Sequence, residues 1–336
     1  MSQPQPRELT ERFVIHDLAR HNGQTTFARD VREGLSANPK QLFPKYLYDA
    51  LGSKLFEAIC QTAEYYPTRT ESEILSRHAD EIVRFIPNCQ TLIELGSGSA
   101  EKTRKVIEAL LRNQPALLFV PIDISVSALE ESSRGLLQMY PSLRIEAYAA
   151  DYFDGLAALK PTEAGPALVL FLGSNIGNFQ KRDAAEFLHT IRQVLRTGDA
   201  LLLGADLKKD RQTLEAAYND ALGVTRAFIL NALARINREF GANFDLRGFE
   251  LVSIYDVTVG RIDVYLESLR QQSVIIPGLE MSFTLEAGER LHMENAYKYD
   301  LEELSMMARQ SGFDLKQTWM DEGKKFSSNL FVAAEE

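Results

Sequence analysis

The chain has 336 residues, 45% of them hydrophobic and 25% charged, enough for one large or two modest domains with an ordinary globular surface. A formal net charge of −10 argues against a nucleic-acid partner, which requires a basic face to neutralise phosphates. Cys60 and Cys89 are the only cysteines, too few for a disulfide framework or a cysteine-based zinc site, and their apolar neighbours mark them as inert buried thiols.

In chain order, Met1–Pro6 is polar and proline-containing, unlike a signal peptide, and no apolar run reaches the length of a membrane span. A cytoplasmic protein is expected. The first forty or so residues look polar and broken. Aromatics then gather around 43–53, followed by helical spacing at Leu55, Phe56 and Ile59 and the string Glu64-Tyr65-Tyr66-Pro67-Thr68-Arg69. Tyrosines this dense ahead of any sheet suit a segment that covers a site; packing under a sheet edge is the plainer alternative. Thr70 and Glu73 have the spacing of a capping box opening a helix with Ile74, Leu75, Ile82, Val83 and Ile86 on its apolar side.

Strand and helix then alternate. Strands are expected at Leu92–Leu95, Leu117–Asp123, Leu143–Ala149, Ala167–Leu172 and Ala200–Gly204, with helices at Lys102–Asn113, Ser125–Met139 and Asp183–Leu195. Repeated βα units argue for a parallel sheet covered on both faces. After about residue 208 two helical patterns, Thr213–Leu222 and Thr225–Phe240, lead into strand-like runs at Glu250–Thr258, Arg261–Leu269, Ser273–Ile276 and Met281–Leu285. That grouping is an α+β module, an insertion of roughly ninety residues. The chain closes with a helix at Leu301–Ser311 and two strands, Leu315–Met320 and Phe326–Ala333, around the turn Asp321-Glu322-Gly323.

Chemistry concentrates at strand ends. The run Glu94-Leu95-Gly96-Ser97-Gly98 is a strand breaking into a glycine turn ahead of a helix, the place where nucleosides dock in open α/β sheets. Lys102 and Thr103 occupy the region where a dinucleotide fingerprint has its third glycine, which leaves room for a smaller nucleoside such as S-adenosylmethionine. Asp123 ends the next strand and can accept from both ribose hydroxyls; Asp151 ends the third and, with Tyr152, can bracket an adenine. Helix capping or a turn role is the competing reading for both aspartates. Asn178 sits in the loop after the fourth strand, where plain turn chemistry is again the alternative. The five histidines are scattered without ligand spacing, so no metal is expected.

Several longer strings make the reading specific: Tyr48-Asp49-Ala50-Leu51-Gly52-Ser53-Lys54-Leu55-Phe56, Glu64-Tyr65-Tyr66-Pro67-Thr68-Arg69-Thr70-Glu71, Glu94-Leu95-Gly96-Ser97-Gly98, Phe171-Leu172-Gly173-Ser174-Asn175-Ile176-Gly177-Asn178 and Ala217-Tyr218-Asn219-Asp220. With these the chain resembles, from about residue 20 to the end, the histidine-specific S-adenosylmethionine-dependent methyltransferases, whose best-known member makes trimethylhistidine (hercynine) for ergothioneine biosynthesis. The resemblance implies an α/β fold, a class I methyltransferase Rossmann-like sheet (71–208 and 299–336) with an inserted α+β lobe for the amino acid (1–70 and 209–298). It implies cofactor contacts at Gly96, Lys102, Asp123, Asp151 and Tyr152, and an amino-acid pocket at Tyr48, Tyr65, Asn178 and Tyr218. The element that reads the substrate side chain falls on Glu294, Asn295 and Ala296. The family's ergothioneine enzymes carry a serine where this chain has Ala296, so one hydroxyl that could bond an imidazole nitrogen is missing. Val264 is expected to line the same pocket, and its ordinary role as an inward strand residue is an equal reading. Free histidine is the expected substrate, with tryptophan or another aromatic amino acid as the alternative. Tyr48 and Tyr65 are expected to position the amine. The protein is expected to act as a monomer, with no membrane or nucleic-acid partner. A nicotinamide-dependent oxidoreductase is a more distant reading that lacks its third glycine, and a non-catalytic binding protein is another.

Overall fold

The computed structural model describes residues 7–18, 23–159 and 165–335. Met1–Pro6 and His21, read above for targeting and metal binding, lie outside the described residues. The chain divides into two compact units, the first of Met1–His21, Pro67–Lys208 and Lys298–Glu336, the second of Asn22–Tyr66 and Lys209–Tyr297.

The first unit is built on a nine-stranded sheet in the order β1-β2-β5-β4-β3-β6-β7-β14-β13. Its strands are β1 (Arg7–Thr10), β2 (Phe13–Asp17), β3 (Thr91–Leu95), β4 (Leu117–Asp123), β5 (Leu143–Ala149), β6 (Ala167–Phe171), β7 (Ala200–Asp206), β13 (Phe313–Met320) and β14 (Phe326–Ala333). Strands β2 and β5-β4-β3-β6-β7 run parallel, and β14 returns antiparallel against β7 and β13. The helices are α3 (Pro67–Arg84), α4 (Thr103–Leu111), α5 (Val126–Met139), α6 (Tyr152–Ala158), α7 (Lys181–Val194) and α10 (Leu301–Gln310). Strands β3, β6 and β7 are buried along their whole length, which is why they read as unbroken apolar runs. From β3 the chain winds outward through β4 and β5, then crosses to β6 on the other side. The switch point therefore lies between β3 and β6, the place where such sheets bind ligands.

Two expectations for this unit are corrected. Residues 7–17 do not join the lobe: Phe13 and Ile15 alternate into the first unit's core at 1% and 2% exposure, and β2 pairs with β5. Two apolar residues at period two are too brief a signal to stand out from a polar leader. Thr70 does not cap a helix. Helix α3 starts at Pro67, a residue preorganised for a first turn, and the Thr70 hydroxyl donates to Pro67 O inside it. A capping box does open α10, formed by Asp300 and Glu303.

The second unit holds α1 (Gly23–Ser36), α2 (Ala50–Ile59), α8 (Arg211–Ala217) and α9 (Val224–Phe240). It also holds an antiparallel sheet of β8 (Phe249–Asp256), β9 (Arg261–Ser268) and β12 (Arg290–Tyr297), and a hairpin of β10 (Gln272–Ile276) and β11 (Met281–Leu285). Its own core gathers Phe27, Tyr46, Tyr66, Phe228, Ile262, Val264 and Ala296 among others. The expected helix to Leu222 ends at Ala217 instead, because Asp220 is recruited to accept from Val224 N at 3.0 Å and Thr225 N at 2.7 Å ahead of α9. Strand β12 was not expected. Its register against β9 slips between His292 and Glu294, and that slip interrupts the period-two pattern. Of the two thiols, Cys89 is buried and burial pushes it up to about 12, whereas Cys60 is half-buried and so departs from expectation. Among the described residues no helix is long and apolar enough to cross a membrane.

Candidate active site

In the first unit, the residues expected to hold a cofactor come together at the carboxyl edge of β3, β4 and β5. The turn after β3 takes left-handed backbone at Gly96 (φ 77°), Gly98 (φ 48°) and Ala100 (φ 55°), the first two where only glycine sits without strain. Gly96 N donates to Ile122 O at 2.8 Å, tying the turn to β4. A Cβ at Gly96 would lie 2.8 Å from the Tyr152 hydroxyl and 3.2 Å from Asn175 Nδ2, so two side chains close on the turn from below. A Cβ at Gly98 would meet nothing within 4 Å, so that side of the turn is open to a ligand.

Asp123, at the end of β4, accepts from Gly98 N at 2.9 Å through one oxygen and from Ser125 N at 2.9 Å through the other. Burial raises its pKa above the ordinary carboxylate range, against the pull of those backbone amides. Each oxygen keeps lone-pair capacity for a hydroxyl donor. The cap of α5 is Ser125, so Asp123 does not cap that helix, although its bond to Ser125 N makes it a turn residue as well. Asp151 is not: it is exposed and caps α6, accepting from Asp154 N at 2.9 Å. Tyr152 packs its ring against Phe171, Phe179 and Phe187 at centroid distances of 5.4, 6.4 and 5.6 Å. Burial and the nearby Asp123 raise its phenol. Open space at Gly98, a buried carboxylate one strand over with acceptor capacity to spare and an aromatic wall make a cradle that fits a nucleoside cofactor.

Beneath the turn lie two carboxyl groups that sequence reasoning gave no role. Glu94 is buried, accepts from the Thr103 hydroxyl and has its other oxygen unpartnered; burial pushes it up to about 8. Glu71, in the second turn of α3, is fully buried, forms an ion pair with Lys102 and accepts from Gly173 N. A usable signal existed, since Glu71 falls in phase with Ile74, Leu75 and Ile82 on the helix's apolar stripe, where an acid is anomalous. The loop after β6 continues through Ser174, left-handed at φ 59°, whose hydroxyl accepts from Asp206 N at 2.9 Å, into a 3-10 turn at Asn175–Asn178. Asn178 ends that turn.

The second unit holds the remaining residues expected in the amino-acid site. Tyr48 lies at the entry to α2, whose cap Asp49 accepts from Gly52 N at 2.8 Å and Asn231 Nδ2 at 2.7 Å and pairs with Arg238 at 2.8 Å. Its ring meets Phe56 and Phe228 at 5.6 and 5.3 Å, and Tyr65 meets Phe56 at 5.9 Å. Tyr46 and Tyr66 are instead buried in the core, so the plainer packing role holds for those two. Tyr218 ends α8 and packs partly against the same core. On β12, Glu294 lies opposite Val264 and Ala296 opposite Ile262, so both share the apolar face of the sheet. Asn295 lies opposite Asp263, on the other face. The register slip at Met293 produces this division: without it Glu294 would share the face of His292, which bonds Asp263 at 3.2 Å. Among the described residues no group of three or more His, Cys, Asp or Glu could hold a metal ion.

A doubly wound sheet with a nucleoside cradle at its switch point, joined in sequence to an α+β unit rich in aromatics, is the architecture of a small-molecule methyltransferase. The sequence pattern of the SAM-dependent histidine-specific methyltransferases matches residues 27–333, and the chain belongs to that family. It is 39% identical over 315 residues to the histidine N-alpha-methyltransferase of Mycolicibacterium smegmatis, covering 94% of this chain and 97% of that protein. To the protein of the same name from Mycobacterium tuberculosis it is 37% identical over 317 residues, covering 94% and 98%. It is 34% identical over 288 residues to ergothioneine biosynthesis protein 1 of Neurospora crassa, covering 84% of this chain and 32% of that protein. The chain is thus an S-adenosylmethionine-dependent amino-acid N-methyltransferase.

Proposed function

We propose that the protein methylates the α-amine of free L-histidine, up to trimethylhistidine, as a monomer in the cytoplasm and as a step of ergothioneine biosynthesis. The observation that carries the substrate reading is Glu294, an acid turned onto the apolar face of β12 beside Val264. A carboxylate on that face has acceptor capacity for an imidazole N–H. The histidine N-alpha-methyltransferases named above support the same substrate.

When bound, S-adenosylmethionine supplies a sulfonium methyl group for displacement by the amine nitrogen. Asp123 accepts the ribose hydroxyls, the Gly96–Gly98 turn admits the nucleoside and Tyr152 walls the base. Asp151 contributes through the turn it caps. Gly96 and Lys102 complete the cofactor set carried by the resemblance. Tyr48 and Tyr65 orient the amine; a phenol with an ordinary pKa of about 10 is a poor resting base at neutral pH, so deprotonation runs through solvent. As methyl groups accumulate the nitrogen becomes a fixed cation, and tyrosine faces hold it by cation–π attraction of roughly 0.5–2 kcal/mol. Tyr218 bonds the α-carboxylate, which favours a free amino acid over a peptide. Asn178, on the first unit's loop, is assigned to the amino acid by the resemblance. Asn295 faces away from Glu294 and Ala296.

Calorimetric titration of histidine and tryptophan in the presence of S-adenosylhomocysteine tests the proposal. Saturable histidine binding is expected, tighter than that of tryptophan. Absence of histidine binding overturns the substrate assignment.

A further inference from the structure

Glu71 sits where four pieces of the first unit meet. It projects from the second turn of α3, and its side chain is 0% exposed. Both carboxylate oxygens lie within 3.0 Å of Gly173 N, in the loop after β6, and one of them pairs with the Lys102 ammonium at the start of α4. On β7, a Cβ at Gly204 would lie 2.0 Å from Glu71 Oε1, so the carboxylate occupies space that only a glycine leaves open. Lys102 differs from its partner in one decisive respect: its side chain is 23% exposed, so it is anchored on a buried carboxylate yet retains access to solvent.

A lysine has three donors on a flexible four-carbon stem, and a fixed partner for one of them leaves the others aimed. The cofactor offers one anionic group, the carboxylate of its amino-acid end; its ribose and adenine carry no negative charge. We propose that Glu71 is a positioning residue for cofactor binding. Through the buried ion pair it holds the Lys102 ammonium toward that carboxylate, and through Gly173 N it fixes the loop after β6 in the same arrangement. The inference rests on the assignment of Lys102 as a cofactor contact.

The test compares two ligands by equilibrium binding: S-adenosylhomocysteine, which carries the amino-acid end, and methylthioadenosine, which lacks it. Lys102→Met tests the underlying assignment and Glu71→Gln the inference; Gln retains an acceptor for Gly173 N and removes the charge. Each substitution should weaken S-adenosylhomocysteine about tenfold, the worth of one charge-assisted hydrogen bond, and leave methylthioadenosine within twofold. Should Glu71→Gln not fold, Glu71→Asp keeps the charge but withdraws it from Lys102 and should show the same selective loss. If Lys102→Met leaves S-adenosylhomocysteine binding unchanged, the cofactor assignment of Lys102 fails and the inference with it. If Lys102→Met weakens it while the Glu71 variants do not, or if both ligands weaken together in the Glu71 variants, the assignment stands and Glu71 is only a structural anchor.

Discussion

At the strand edge of the first unit, functional side chains are held by backbone amides and buried charge. Asp123 takes two main-chain N–H groups, Glu71 takes another together with an ammonium, and Glu94 sits neutral beneath them. In the second unit the candidate residues are held by ring packing and by strand register. Tyr48 and Tyr65 lean on Phe56 and Phe228, and a slip of one residue at Met293 decides which face Glu294 takes. The contrast suits the two ligands. A nucleoside with a diol and a carboxylate is recognised by directed hydrogen bonds, whereas an amine that gains methyl groups sheds its donors and leaves aromatic faces as the partner.

The largest expected effect lies in the first unit and is a pH dependence. Glu94 has a folded pKa of about 8 against an ordinary value of 4.5, so the folded state binds a proton that the unfolded state releases between those limits. Folding stability attributable to this group is undiminished at the acid end and falls as pH rises through that window. Glu94→Gln copies the neutral acid without the titration. Relative to wild type the variant should gain on the order of 4 kcal/mol between about pH 5 and pH 8, seen as a growing difference in urea midpoints. Parallel curves would mean that Glu94 folds ionised and that the first unit's edge is charged throughout.

A second prediction asks whether the aromatic unit tolerates imprecision that the charged edge does not. Ala is favoured over Gly inside a helix by about 1 kcal/mol, so Gly52→Ala in α2 looks stabilising on propensity alone. Yet its Cβ would lie 1.7 Å from Leu47 O, a backbone atom that cannot swing aside. Overpacking should win, with a net loss of about 2 kcal/mol by urea denaturation and a displaced Tyr48. Equal or greater stability would show that the turn before α2 yields easily.

These cases also show what a sequence can disclose. Strands β3, β4, β6 and β7 were legible as apolar runs that lead into an acid or a glycine, and β4 and β5 fall on their expected limits. Gly96 and Asp123 were legible for the same reason: local chain grammar places them. Glu71 could be singled out only as an anomalous acid on an apolar stripe, because its role comes from Gly173, Lys102 and Gly204, which are distant in sequence. The pattern of β12 was hidden by its slip, so the segment with Glu294 could be pointed to only through family resemblance, and its division of faces only through pairing with β9.

Within the second unit, Tyr218→Phe removes one hydroxyl and should weaken amino-acid binding by about 1 kcal/mol, with S-adenosylhomocysteine affinity unchanged. An unchanged affinity for the amino acid would take Tyr218 out of the site and leave the second unit's contribution to the other tyrosines and β12.

The smallest effect is the most informative about substrate. Ala296 is 2% exposed and lies one inward position beyond Glu294 on the same apolar face. Replacing it with serine adds a single hydroxyl to that face. Imidazole has a second ring nitrogen that can engage that hydroxyl, whereas indole has a single N–H and no ring acceptor, so for tryptophan the added group is left without a ring partner. A site that gains a polar group discriminates against the ligand that cannot satisfy it. Ala296→Ser should therefore raise the ratio of histidine to tryptophan affinity severalfold, on the order of 1 kcal/mol. The gain should appear as weaker tryptophan binding at least as much as tighter histidine binding, because the buried hydroxyl costs most where it is unpaired. A ratio that does not move would mean that the face shared by Glu294, Val264 and Ala296 does not contact the ring, and the amino acid's side chain would then have to be read by the tyrosines instead.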